Sequence, residues 1–310
     1  MKVFSCDHHI FPLPPGHRFP IDKYRLLREA VAASGLVPRE DLVAPEPVTD
    51  EQILRVHDPT YLEKVRTGKL LETEVRRIGF PWSPELVSRT RCSVGGTIDA
   101  CRAALRDGVA VNLAGGTHHA LRDRGEGYCI FNDTLIAIRT MQAEGRIDRA
   151  VVLDGDAHQG NGTAALAARD ATIFTFSVHS ENSFPLRKER SDLDIGLPDG
   201  ANDTTYLEAW RTGVQRVLSM FPADMAIFLA GADPYEGDLL GRLALTKDGL
   251  AERDRLLFEH CERAGIPVAA VMAGGYARRV EDIVEIHLQT VRLAFHSAKR
   301  FSFDGSRKSA

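Results

Sequence analysis

The sequence predicts an α/β fold with a mainly parallel sheet covered by helices on both faces, and three observations carry that prediction. Short apolar runs rich in Val, Ile and Phe recur along the chain. Helical patterns fill the intervals between them, and the runs are continuous rather than alternating, as strands buried on both faces require. The strand candidates are residues 2–4, 109–113, 150–153, 172–178, 225–229 and 267–272. Residues 84–106, 133–144, 202–219, 246–264 and 280–298 are the predicted helices, most with apolar side chains at three- and four-residue spacing. The Pro-rich stretch 11–20 reads as an early loop, and residues from about 300 to 310 as a frayed, flexible tail. No repeat or linker divides residues 1–310, so one domain is expected.

With 44% hydrophobic and 26% charged residues among 310, the composition is that of an ordinary globular chain. A net charge of -4 supplies no basic field for phosphate backbones, so no direct nucleic-acid binding is expected. Cys6, Cys92, Cys101, Cys129 and Cys261 are scattered, odd in number and without a C-x-x-C pair, which argues against a disulfide scaffold or a thiolate knuckle. The polar N-terminus and the lack of a long apolar run predict no signal peptide and no membrane span, hence a soluble cytoplasmic protein. No pattern specifies an oligomeric state.

Several strand candidates end in polar or glycine-rich text: AGGTHHA after Leu113, DGDAHQGNG after Leu153, AGADPYEGD after Leu229 and AGGY after Met272. Ligands of open parallel sheets bind outside the carboxyl ends of the strands, so these four segments are expected to converge on one pocket. Asp156 and His158, two apart at a strand end, project to the same face and can hold one ion. A carboxylate and an imidazole suit zinc, and a catalytic zinc usually takes a third protein ligand. Asp233, an acid directly after IFLAGA, is the best candidate. Taken singly, each of the three could instead cap a helix or close a turn.

His118 and His119 suggest paired acid and base groups, since imidazole titrates near neutral pH; a structural turn is the plainer alternative. Tyr276, on a glycine-rich turn, can reach the pocket and stabilise an oxyanion, or simply pack at the surface. Metal, histidine base and tyrosine donor together form a complete set for amide hydrolysis.

The ordered segments GGTHHA, GYCIFND, DGDAHQGNG, AGADPYEGD and AGGY resemble the histone deacetylase family, along nearly the whole chain. RRIGFPWSPELVSR and FPLRKERSDLDIGLPDG are most similar to class IV members and their bacterial relatives. The resemblance implies a three-layer α/β/α, arginase/deacetylase-like fold, with Asp156, His158 and Asp233 as ligands of Zn2+, or of Fe2+. It matches His118, His119 and Tyr276 to the family's catalytic positions, with Asp154 orienting His118. Asn161 stands where many members carry an aspartate beside the second histidine. Asparagine cannot raise a histidine pKa through charge, so His119 is expected to stay neutral as the base.

The resemblance also implies a structural K+ near Asp154, held by backbone carbonyls of Asp156 and His158 and by Ser177. It places Gly127, Tyr128, Phe184 and Leu240 along a substrate tunnel. His179 is expected to shape the pocket wall. Asp7, His8, His9 and His17 read as loop or rim residues rather than a metal site, because adjacent residues on an extended chain point apart. The run RKERSDLD reads as a solvated loop with internal ion pairs.

The leading expectation is hydrolysis of an acylated lysine on a protein, with acetyl or longer fatty acyl groups. A small acylated amine such as an acetylpolyamine is the second substrate class. A catalytically inactive acyl-lysine-binding scaffold is disfavoured by the complete residue set. An arginase-like two-metal hydrolase is disfavoured because DGDAH offers too few ligands.

Overall fold

A computed structural model describes residues 1–305, with side chains to 301. Eight strands, β1 (Val3–Phe4), β2 (Leu42–Val43), β3 (Val109–Asn112), β4 (Ala150–Asp154), β5 (Ile173–Ser180), β6 (Leu193–Leu197), β7 (Met225–Leu229) and β8 (Val268–Val271), pair into one parallel sheet. Its order is β2-β1-β3-β8-β7-β4-β5-β6. The central strands are wholly buried, which explains their continuous apolar sequences. Alternate residues serve opposite faces: Val151 and Leu153 enter one core, Ala150 and Val152 the other.

The helices are α1 (Lys23–Ala33), α2 (Asp50–Leu54), α3 (Pro59–Thr67), α4 (Glu72–Ile78), α5 (Pro84–Asp107), α6 (Asp133–Ala143), α7 (Asn161–Ala167), α8 (Asp203–Met220), α9 (Lys247–Ala264) and α10 (Val280–Gly305). Helices α1, α8, α9 and α10 cover one face, and α3, α5 and α6 the other. This is the three-layer α/β/α arrangement. Local chemistry sets the helix starts. Ser83 accepts from the Leu86 amide ahead of Pro84, Asn132 from Leu135, and Thr246 from Gly249.

All six predicted strands and five predicted helices form. The short edge strands β2 and β6, and helices α1 to α4 and α7, were not read from the sequence. Strand β6 alternates partly buried and exposed residues in LDIGL, and Asp194 with the charged run before it masked the strand. The RKERSDLD run forms no internal ion pair among the described residues. Instead Asp192 accepts from the Thr175 amide and hydroxyl, and Asp194 from Gln159 and the Ser191 amide. These acids tie the segment to β5 and to the strand-end loop, where neutral donors satisfy them. Helix α10 takes in the first part of the stretch read as a tail, and the remainder, 306–310, lies outside the described residues.

The four segments expected to converge follow β3, β8, β7 and β4, which are four consecutive neighbours at the centre of the sheet. Adjacency of their carboxyl ends is what makes one site of sequence segments spread from Ala114 to Tyr276.

A buried histidine supports this geometry. The His57 Nε2 accepts from the Asn132 amide at 2.9 Å, and its Nδ1 lies 3.3 Å from the Arg122 carbonyl. This fixes the start of α6. Burial pushes the His57 pKa down to about 4, below its ordinary value of 6.5. The unfolded chain therefore binds the extra proton first as pH falls. The His57 contribution should be complete above about pH 6.5 and lost progressively towards pH 4. Denaturant titrations of wild type and His57→Gln between pH 7 and 4.5 check this: the wild type should lose stability more steeply, and parallel curves would refute it.

Candidate active site

Asp156, His158 and Asp233 come together at the ends of β4 and β7, all buried, with one ligand atom from each lying within 4.8 Å of the others. Each carboxylate has its outer oxygen occupied by the backbone. Asp156 Oδ2 accepts from the Gly274 amide at 2.8 Å, and Asp233 Oδ1 from the Ala157 amide at 2.9 Å. The remaining oxygens face one atom, His158 Nδ1, at 3.1 and 3.0 Å. Burial and the Asp156 carboxylate push Asp233 up to about 7. Two buried carboxylates and an imidazole nitrogen aimed at a common point form a donor set that fits a borderline divalent cation. Gly274 permits this close approach, because a Cβ there would strike both carboxylates.

His118 and His119 lie beside this cluster with ring centroids 4.1 Å apart. The turn that carries them is anchored by Asp133, whose carboxylate accepts from the amides of Gly116 and Thr117 and the hydroxyls of Thr97 and Thr117. His118 Nδ1 donates to Asp154 Oδ2 at 2.7 Å. Burial opposes charge on His118, yet the Asp154 and Asp156 carboxylates prevail and raise its pKa to about 9. For His119, burial and the neighbouring His118 and His158 drive the pKa well below 6.5. Its Nδ1 donates to Asn161 Oδ1 at 2.7 Å, and the Asn161 amide nitrogen donates to Glu126 at 2.6 Å. Glu126 thus sets the orientation of Asn161, which in turn leaves His119 Nε2 unprotonated when the ring is neutral.

Tyr276 completes the ring of polar groups. Its backbone amide donates to Asp238 at 2.6 Å, and its ring centroid lies 6.5 Å from that of His158. Burial, with Asp233 and Asp156 nearby, raises the phenol well above its usual range, so it remains a donor. Lys23, on α1, donates to the Gly275 carbonyl at 3.2 Å and stands over the Tyr276 ring. A tunnel of about 300 Å³ leads to these groups and is lined by Gly127, Tyr128, Phe184, Leu240, His119 and Tyr276, with Arg76 and Arg77 at its wall. Gly127 and Tyr128 both have positive φ, 56° and 65°, in a turn closed by the Cys129 amide on the Glu126 carbonyl. That turn places the Tyr128 ring against Phe80 and Tyr276.

The structure therefore gathers every residue singled out for catalysis, metal binding and the tunnel. Ser177 pairs with Asp154 across β4 and β5. Its hydroxyl bonds His179 at 2.9 Å, and His179 does not line the tunnel. Sequence reasoning missed Glu126, Asp133, Asp238 and Lys23. Asp133 and Asp238 sat inside recognised segments, but their partners are backbone amides of distant loops. Lys23 carries no local signal at all.

Comparison with known proteins gives this geometry a family. The histone deacetylase domain model matches residues 17–291. The chain belongs to the histone deacetylase family. An uncharacterized protein of Picosynechococcus sp. is 44% identical over 92% of this chain and 95% of its own length. A probable deacetylase of Methanothermobacter thermautotrophicus is 31% identical over 84% of this chain and 81% of its own. Histone deacetylase 2 of Arabidopsis thaliana is 29% identical over 91% and 76%. The crystal structure of a deacetylase homologue from Aquifex aeolicus superposes with a TM-score of 0.81 at 22% identity, covering 94% of this chain and 83% of that one. The fold is the arginase/deacetylase fold, and the family is one of deacetylases and amidohydrolases.

The Asn161 contact yields a direct test. Asn161→Asp should place a charge against His119 Nδ1 and raise its pKa, moving the acid limb of the kcat/KM profile to higher pH by about one unit or more. An unshifted limb in the variant would show that Asn161 does not control His119. Asp133→Ala should cost about 2–4 kcal/mol of stability by leaving the turn amides and hydroxyls without their acceptor, measured by denaturant unfolding.

Proposed function

We propose that this histone deacetylase family member is a zinc-dependent amidohydrolase of the class IV-like bacterial group, removing acyl groups from the side-chain amine of lysine. The observation that carries the reading is the buried triad Asp156, His158 and Asp233 at the foot of an apolar tunnel, with His119 and Tyr276 at its edge. The triad would hold the metal, zinc or iron, which when bound polarises the scissile carbonyl and acidifies water. His119, neutral and with Nε2 unprotonated, takes the proton from the attacking water once that nitrogen turns from its 3.1 Å contact with His118 Nε2. The phenol of Tyr276 donates to the developing oxyanion. His118, charged through Asp154, adds electrostatic support and a proton for the departing amine. Bond for bond, the amide C–N breaks, a C–O bond to water forms, and the products are free amine and carboxylate.

A K+ beside Asp154, with carbonyls of Asp156 and His158 and the Ser177 hydroxyl, belongs to the same proposal, and the register that pairs Asp154 with Ser177 supports it. Tyr128 and Phe184 would flank the alkyl chain of the substrate. Phe184 is 41% exposed at the mouth, which favours an acyl-lysine presented on a protein over a small acylated amine. No described helix is long and apolar enough to cross a membrane. Five free, buried cysteines fit a reducing compartment such as the cytoplasm.

The experiment is release of free amine from acetyl-lysine and long-chain acyl-lysine peptides and from acetylpolyamine. Metal-stripped protein should be inactive and recover with Zn2+ or Fe2+. Tyr276→Phe should lower kcat by roughly 10²- to 10³-fold, and His119→Ala by roughly 10²- to 10⁴-fold. No turnover of any substrate by metal-loaded wild type would overturn the reading, and preference for acetylpolyamine would replace lysine as the substrate.

A further inference from the structure

A second group of ligating side chains lies away from the Asp156–His158–Asp233 cluster, where the chain turns after β1. The His9 amide donates to the Cys6 carbonyl at 3.2 Å, so this loop segment is a turn rather than extended chain. The turn overrides the alternation that would separate neighbouring side chains. The His8 and His9 rings come to 4.4 Å between centroids. Beneath them is Cys92 of α5, fully buried and free of any disulfide. One ligand atom from each of His8, His9 and Cys92 lies within 4.8 Å of the others.

We propose that His8, His9 and Cys92 form a second metal site, for a borderline-to-soft divalent transition ion such as zinc, that ties the turn after β1 to α5. Two imidazoles and one thiolate match the ligand preferences of zinc and of its heavier neighbours in the series, and exclude calcium and magnesium. Zinc bonds of about 2.0–2.3 Å put pairs of ligand atoms roughly 3.5 Å apart, so small side-chain rotations close the site. On binding, the Cys92 S–H gives its proton to solvent and an S–metal bond forms, with no change of oxidation state. Water fills the fourth position. His8 also faces a solvent-open cavity of about 690 Å³, which provides a way in. The Arg89 guanidinium, which donates to Cys6, opposes a cation here, and the Cys92 thiolate supplies charge of the opposite sign.

The consequence reaches the catalytic turn through packing. Cys6 and Cys92 pack with Ala114, and the neighbouring Ser93 hydroxyl accepts from the Gly115 amide at 3.2 Å. An ion at this site would brace the start of the segment that carries His118 and His119. Its role is structural: it touches neither substrate nor reacting atoms.

Cobalt distinguishes the two sites because only the second contains sulfur. Metal-stripped, reduced wild-type protein titrated with Co2+ should take up a second equivalent and develop sulfur-to-cobalt charge-transfer absorption in the near ultraviolet. Asp233→Asn should keep that absorption. The surface double variant His8→Ala/His9→Ala should lose it, lose the second equivalent, and lose the part of the zinc-induced rise in Tm that survives in Asp233→Asn. Uptake of a single equivalent without the absorption band in wild type overturns the site, as does a band that survives in the double variant. Because deacylation is assayed separately, an active enzyme with one ion would refute this inference alone.

Discussion

The placement of Asp156 and Asp233 face to face inside the protein is the constraint on which the rest of the site depends. Two carboxylates removed from water are strongly unfavourable unless hydrogen bonds and a positive charge compensate them. The chain supplies the hydrogen bonds from its backbone: the amides of Gly274 and Ala157 take the outer oxygens. The inner oxygens are left facing His158, and a bound cation is the natural completion of that arrangement. Much of the surrounding architecture exists to hold these two strand ends in register.

Arg253 is the clearest case. Fully buried on α9, it donates to the carbonyls of both Gly155 and Gly231, at 3.0 and 2.6 Å, which lie one and two residues past the ends of β4 and β7. Its charge is balanced by Asp254, which in turn accepts from Thr290 of α10. The Tyr206 hydroxyl of α8 donates to the same Gly155 carbonyl. Three helices of one layer thus grip the two loops that carry the carboxylates. On the opposite layer, Asp133 of α6 does the same for the histidine turn. The site is held from both faces of the sheet.

Electrostatics then divides the two histidines. They are adjacent in sequence and equally buried, and yet their pKa values move in opposite directions. Burial disfavours charge on both; the Asp154 and Asp156 carboxylates outweigh it at His118, whereas at His119 the neighbouring His118 and His158 add to it. Glu126 fixes the Asn161 carboxamide by accepting from its nitrogen, so the tautomer of neutral His119, with its proton on Nδ1, is set by a residue two hydrogen bonds removed from it.

The linear sequence determined the fold class and most of the site, because both are written in local patterns. Fully buried strands read as continuous apolar runs, and the ligand and histidine motifs follow those runs within a few residues. It determined less where a signal was short or mixed: the two-residue strand β2 and the brief helices α2 and α4 lack the length for a clear period, and strand β6 follows directly on a charged run. Tertiary structure alone decided that the four motif-bearing strands are neighbours. It also decided that Lys23 and Arg253 are buried beside the site and that His8 and His9 turn towards Cys92. Those facts depend on contacts between residues far apart in the chain, and no local periodicity encodes which distant amide, carbonyl or thiol a side chain will meet.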